Sequence, residues 1–114
     1  MSAKNRVMLT GHLGQDPEVR TLENGNKLAK LNLATTEFYV NSKGDKVNET
    51  EWHRVIGWGK LAEQAAEQLS KGTEISVEGK LTTREYVGKD GLKRWVTEVV
   101  AYTFTVIEKK QKVA

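Results

Sequence analysis

The chain of 114 residues has the length of one ordinary domain and can bury a single core without disulfide or metal staples. It contains no cysteine, which excludes disulfide bonds, thiolate zinc sites and cysteine nucleophiles. The formal net charge is +3, from 18 Lys and Arg against 15 Asp and Glu. Removal of Lys109, Lys110 and Lys112 alone brings it to zero, so any affinity for a polyanion depends on where the other cations lie.

Short segments of alternating polarity, separated by turn signals, predict an all-β domain. In the first, residues 6–13, Val7 and Leu9 share one face; in the second, residues 28–36, alternate residues from Ala29 to Thr35 do so. Asn24-Gly25 predicts a tight hairpin turn between them. Further strands are predicted at residues 50–58, 73–80, 81–87 and 94–107.

Residues 60–72 predict the single helix. Leu61, Ala65 and Leu69 recur every four residues, with Ala62 and Ala66 beside them, and the helix is expected to stop at Gly72. One helix placed between the third and fourth of five strands suits a small Greek-key barrel, in which the helix closes one open end.

The residues that could support catalysis are few and poorly placed. His12 and His53 have no metal-ligand spacing to other candidate ligands, and no glycine-rich phosphate loop is present. Glu49 and Glu51 could share a strand face, but a solvated face explains them more simply than an acid and base pair. We therefore expect a protein that is not an enzyme and that needs no metal or cofactor.

Aromatic and cationic residues alternate in two predicted strands. Trp52, Arg54 and Trp58 share one face, and Arg84 and Tyr86 repeat the arrangement. Bases of a single strand stack on aromatic rings, while cations follow the phosphates. Two alternatives stay open: the Trp residues fill the core while Arg54 extends past them to water, or the aromatic surface binds a protein.

Two further aromatic positions are less clear. Tyr39 has the parity of the core-facing residues Leu31 and Leu33, so it joins a binding face only if a bend or bulge intervenes, and Phe38 is the alternative.

We expect a core or subunit-contact role, without a ligand, for Trp95, Val100, Tyr102, Phe104 and Val106. Two loops carry cations that could close over a bound chain: Lys43, Lys46, Lys89, Lys93 and Arg94.

The segments LTGHLGQDPEVR, LNLATTE, TEWHRVIGWGKLAEQAAEQLSKG and ISVEGKLTTREY together closely resemble the bacterial single-stranded DNA-binding protein family, over roughly residues 5–107. The resemblance implies an OB-fold and usually a homotetramer. It also implies sequence-independent binding and protection of single-stranded DNA in replication, recombination and repair.

The resemblance also implies which side chains bind DNA. Thr82 and Glu85 stand where well-known members carry cations, which weakens the case for phosphate contacts along that strand. At position 39 a Trp is more usual. The implied stacking residues are Tyr39, Trp52, Trp58 and Tyr86, and the implied basic positions are Arg20, Arg54, Lys60, Lys71 and Arg84.

The same resemblance implies where subunits meet. It places His53, which faces away from Trp52, near a subunit contact, and it implies that the first strand is an edge that pairs with a second chain. The strand residues concerned are Arg6, Val7, Met8, Leu9 and Thr10.

The two ends of the chain lie outside the predicted elements. Residues 1–7 contain no apolar stretch of signal-peptide length, and nowhere do about 18 apolar residues run together, so we expect a cytoplasmic protein without a membrane partner. The family resemblance implies that it is associated with the nucleoid. A binding domain over residues 1–107 is followed by a short basic tail, 108–114. Family members generally end in an acidic tip that recruits replication and repair proteins; this sequence ends in IEKKQKVA and gives no such expectation.

Overall fold

The computed structural model describes residues 4–107, so the predicted basic tail lies outside the described residues. No helix in this range is long and apolar enough to cross a membrane. The elements, in chain order, are β1 (Val7–Leu13), β2 (Glu18–Thr21), β3 (Lys27–Val40), β4 (Lys46–Trp58), α1 (Lys60–Gln68), β5 (Glu74–Val87) and β6 (Lys93–Val106).

Five strands close into a barrel. The sheet order is β1-β5-β6-β4-β3-β2, and β1 closes the ring by pairing with β3 at His12–Ala34 and Leu13–Leu33. At the closure, a Cβ on Gly11 would lie 2.1 Å from the carbonyl oxygen of Ala34, so only glycine allows the strands to meet. The all-β barrel is therefore confirmed.

The element count differs from the prediction in two ways. Residues 73–80 and 81–87 form one strand, β5, which pairs with β6 along its whole length. The short strand β2 pairs only with β3, through a turn with Gly25 at φ 86° where the hairpin signal was seen. Because β2 is an edge strand outside the closed ring, the barrel strands are β1, β3, β4, β5 and β6. The helix α1 therefore lies between the third and fourth barrel strands, as predicted.

The core is built from alternate residues of the strands and one face of the helix. Ala29, Leu31 and Leu33 of β3 are at most 4% exposed, as their alternation predicts. The other members of the core cluster are Leu13, Val55, Ala62, Ala65, Leu69, Ile75, Val77 and Val99.

The helix is shorter than predicted. It ends at Gln68, since Leu69 already has extended backbone angles (φ −112°, ψ 145°), and Gly72 lies beyond it in a separate turn with φ 91°. Ala66, predicted on the buried face, is exposed, and the buried positions are Ala62 and Ala65. Leu69 enters the core from just past the helix end.

A bulge in β6 overturns part of the predicted core. Thr103 pairs with Glu78 and Ala101 with Gly79, which leaves Tyr102 as an extra residue and inverts the parity before it. Phe104 and Val106 pack against the core as predicted, but Val100 faces the other side and Tyr102 is 43% exposed. Trp95, 66% exposed, is also no core residue.

Two long hairpins extend beyond the barrel. Parallel pairing joins β4 and β6 only at Val55–Val99 and Ile56–Val100. From there the β3–β4 ribbon continues to a turn at residues 41–45, and the β5–β6 ribbon continues to a turn at residues 88–92. Each ribbon beyond the barrel is a single layer of two strands.

Candidate nucleic-acid interface

The strand register defines one continuous surface on the side of the sheet opposite the core, here called the outer face. Trp58 of β4 lies beside Leu28 of β3, which lies beside Arg20 of β2. Farther along β4, Arg54 lies beside Asn32 and Trp52 beside Ala34. Alternate residues of β4 therefore present Trp52, Arg54 and Trp58 together, as the sequence predicted.

The two indoles on this face are exposed. Trp52 is 63% exposed and Trp58 is 47% exposed, which rules out the alternative that they fill the core. One edge of the Trp52 ring is supported by the backbone, since a Cβ on Gly14 would lie 2.4 Å from its Cζ3. A cleft of about 400 Å³ opens beside this indole and is lined by Gly14, Gln15, Asn32, Trp52, His53 and Arg54.

The cleft continues toward β2. A second depression of about 190 Å³ shares Arg54 and Asn32 with the first and reaches Asp16 and Lys30. In OB-folds the face formed by the second and third barrel strands, with the loops at either side, is where oligonucleotides bind. The Trp52 cleft occupies that position here.

The β5–β6 ribbon adds a second group of side chains to the outer face. Tyr86 pairs with Arg94, and Arg84 lies two residues before Tyr86 on the same side. The guanidinium carbon of Arg84 lies 6.0 Å from the centre of the Tyr86 ring. The predicted grouping of a cation with an aromatic ring is thus present, and Thr82 pairs on this face with Glu98.

Glu98 is a residue of this surface that the sequence reading missed. It is 2% exposed, and it accepts a 2.7 Å hydrogen bond at Oε1 from Nε of Arg84 and a 3.5 Å bond at Oε2 from Nη2. The hydrogen bond from Arg84 to Glu98 raises the pKa of Arg84 above its ordinary value. The sequence carries one signal that could have identified it. Glu98 stands within the apolar run of β6, where an acid that faces solvent is not expected.

Phe38 and Tyr39 lie on opposite faces of the β3–β4 ribbon. The β3–β4 register runs without a bulge, pairing Phe38 with Asn48 and Tyr39 with Val47. Phe38 therefore shares the outer face with Trp52, while Tyr39 shares the face of His53. Both rings are exposed, Phe38 to 60% and Tyr39 to 49%, and Lys46 Nζ lies 4.9 Å from the centre of the Phe38 ring.

The remaining predicted cations are spread around this surface. Lys43 lies in the β3–β4 turn, where its backbone N–H donates to Asn41 Oδ1, and Lys89 lies in the β5–β6 turn. Lys60 begins α1 just after Trp58, and the backbone N–H of Lys71 donates to Asp16 Oδ1. Lys93 differs, because it pairs with Val87 on the face of the ribbon opposite Tyr86.

Carboxylates neutralise only some of these cations. Arg20 pairs with Glu18 at 3.3 Å, Lys93 with Glu85 at 3.6 Å, and Arg94 with Asp90. Within residues 4–107, no carboxylate lies within ion-pair distance of Arg54, Lys43, Lys46, Lys60 or Lys71.

The predicted subunit-contact residues also lie together. Met8, Leu9 and Thr10 line a cleft of about 470 Å³ with His53, whose Nε2 is 2.8 Å from Thr35 Oγ1. Val7 and Leu9 pack on the core, whereas Met8 is 62% exposed. Just before the strand, Arg6 Nε lies 2.7 Å from Glu78 Oε1. Along residues 7–11, β1 pairs with β5 on one side, and no described strand occupies the other.

Comparisons with known proteins agree with this geometry. Residues 4–107 match the Single-strand binding protein family. A Plasmodium falciparum SSB in complex with ssDNA is similar at 25% identity, over 95% of this chain and 98% of that one, with a TM-score of 0.85. A deletion mutant of the single-stranded DNA binding protein from Thermus aquaticus is 34% identical over 91% of this chain and 50% of that one, with a TM-score of 0.80.

Residues 4–107 contain no group of three or more His, Cys, Asp or Glu that could hold a metal ion. The barrel, the exposed rings beside cations and the match over residues 4–107 all agree with the resemblance seen in the sequence. The chain belongs to the single-strand binding protein family, and it is a non-enzymatic OB-fold protein that binds single-stranded DNA.

Proposed function

We propose that single-stranded DNA lies along the outer face, between the β3–β4 and β5–β6 ribbons. Bases stack on Trp52, Trp58 and Tyr86, and Arg54 holds the phosphates between the first two rings. The observation that supports this best is the exposure of two indoles, 63% and 47%, on one strand face on either side of Arg54, which has no carboxylate partner among residues 4–107.

The other predicted binding residues surround this path. Arg84 and Arg94 flank Tyr86, Arg20 extends the row beyond Trp58, and the lysines of the turns close over the chain from either side. Tyr39 is proposed on the family resemblance alone, since the register gives it the opposite face from Trp52. The lysines of this set are Lys43, Lys46, Lys60 and Lys71; Lys93 is proposed on its place in the predicted loop alone, since the register gives it the opposite face from Tyr86.

Assembly is proposed through the open edge of β1. Pairing of Arg6–Thr10 with the same strand of a second chain would satisfy the backbone groups of that edge and cover Met8. His53 lies in the cleft beside it. We propose a homotetramer that acts on DNA in the cytoplasm, with residues 1–107 as the binding domain and 108–114 as a basic tail.

The test is a titration of fluorescein-labelled oligo(dT) followed by anisotropy. Saturable binding is expected, with log affinity falling linearly with log salt by about 0.7 for each phosphate neutralised. Competition with a matched RNA oligomer measures the preference between the two sugars. A flat titration at low salt would contradict the proposal and favour an aromatic surface that meets a protein.

A further inference from the structure

Trp95 has no role on the outer face. It pairs with Glu85, so it lies on the side of the β5–β6 ribbon opposite Tyr86 and Arg94. It is 66% exposed, more than either of the other two Trp residues. Large exposed rings are uncommon on a surface that meets only water. The indole is therefore available to a ligand.

The surroundings of Trp95 repeat the pattern of the outer face. Lys93 is two residues away on the same strand, so a cation and an aromatic ring share one face, as Arg84 and Tyr86 do on the other. Leu81 and Val87 on β5, 48% and 66% exposed, extend the apolar part of this face. Lys89 lies in the turn where the two faces meet.

Continuity with the outer face identifies the ligand. The ribbon is one layer thick at this point, and Trp95 directly follows Arg94, whose own side chain lies beside Tyr86 on the outer face. A chain stacked on Tyr86 therefore needs only to pass around the turn at residues 88–92 to reach the other indole. A single strand is flexible enough to do so, whereas a rigid duplex is not.

We propose that Trp95 is a second base-stacking position, so that single-stranded DNA wraps both faces of the β5–β6 ribbon. The inference rests on the proposed function, because it extends the path that begins on the outer face. Lys93 is ion-paired with Glu85 at 3.6 Å, so stacking, and not charge, dominates on this side.

The test uses Trp95 as its own probe. The chain contains three Trp residues, so the variant Trp52→Phe/Trp58→Phe keeps a ring at both outer positions and leaves Trp95 as the sole indole. The fluorescence emission of Trp95 is followed, while the anisotropy of the labelled oligo(dT) reports binding independently. Strong quenching that saturates together with the anisotropy is expected.

Two results would overturn the inference. One is binding by anisotropy with unchanged Trp95 emission. The other is a shift of that emission on raising the protein concentration before DNA is added, which would show that a second copy covers the indole. Absence of any anisotropy change would instead count against the proposed function, so the two failures are distinguishable.

A second variant makes the test independent of the probe. Trp95→Ser in the natural background is expected to weaken oligo(dT) binding by roughly 5-fold or more, with little change in the salt dependence. Thr105→Ala, at an exposed position in the part of β6 that belongs to the barrel, is the control and should bind as the parent does. Equal affinity of the two variants would contradict a stacking role for Trp95.

Discussion

The carboxylate of Glu98 lies 2.7 Å from Nε of Arg84, and the two partners differ sharply in exposure. The side chain of Glu98 is 2% exposed, whereas that of Arg84 is 49% exposed. The buried acid, which lies on the same strand face as Arg84, therefore fixes the arginine and directs its guanidinium toward the Tyr86 ring. Glu98 positions the outer face without itself being available to DNA.

Loss of Arg84 should cost stability as well as affinity. Arg84→Ala leaves the Glu98 carboxylate buried without its partner, and we expect a loss of about 1–3 kcal/mol in the free energy of unfolding, measured by urea denaturation. The double variant Arg84→Gln/Glu98→Gln removes both charges and should recover most of it. A single Arg84→Ala variant as stable as the parent would show that the pair is not coupled.

The salt dependence should distinguish paired from unpaired arginines. Arg54 has no carboxylate within ion-pair distance in the described range, so Arg54→Gln is expected to lower the slope of log affinity against log salt by about 0.7. Arg84→Gln/Glu98→Gln changes no net charge and should leave the slope as it is. Equal slopes for the parent and Arg54→Gln would remove this residue from the phosphate contacts.

Trp52 should contribute stacking energy and little to folding. Its exposure predicts that Trp52→Ala weakens oligo(dT) binding by roughly 1–3 kcal/mol while the unfolding transition barely moves. Anisotropy and thermal denaturation measure the two effects. A large loss of stability with unchanged affinity would reverse the assignment.

Phe38 and Tyr39 can be compared directly, since both are exposed and they are neighbours in the chain. The register favours Phe38 as a partner of Trp52, and the family resemblance favours Tyr39. From the geometry we expect Phe38→Ala to weaken oligo(dT) binding by at least about 1 kcal/mol. A larger loss in Tyr39→Ala would show that bound DNA reaches the other face of the β3–β4 ribbon.

Barrel closure should depend on the missing side chain at Gly11. A Cβ there would meet the backbone oxygen of Ala34 at 2.1 Å, and backbone cannot move aside as a flexible side chain can. Gly11→Ala should therefore destabilise the fold by about 1–3 kcal/mol or more in chemical denaturation. Thr105→Ala, on an exposed position of β6, should stay within about 0.5 kcal/mol of the parent.

The β5–β6 turn should respond to acid. The N–H of Leu92 donates to Asp90 Oδ1, and this bond, with the ion pair to Arg94, lowers the pKa of Asp90 from 3.8. Because the folded pKa is below the unfolded one, the stabilisation is complete above about pH 4 and is lost as the pH falls through the folded value. An NMR titration of the Leu92 amide measures this.

Asp90→Asn provides the control for that titration. The amide oxygen can still accept the Leu92 hydrogen bond but does not titrate, so the acid response of the turn should disappear. An unchanged titration of the Leu92 amide in the variant would assign the response to another group.

Local pattern was enough to predict much of the barrel and part of its surface. Alternation identified the core face of β3 at Ala29, Leu31 and Leu33, and it grouped Trp52, Arg54 and Trp58, because strand side chains alternate strictly when the ladder is regular. The same rule failed in β6, where one extra residue, Tyr102, inverted the parity of Val100.

Sequence alone determined that this is a small β-barrel with aromatic rings and cations on shared strand faces, because those features depend on local periodicity and on residue type. The tertiary structure decided which of those faces meet. Only the pairing of β5 with β6 brings Glu98 beside Arg84, and only the length of that ribbon beyond the barrel leaves Trp95 exposed. Contacts between residues far apart in the chain follow from strand register, which no single segment encodes.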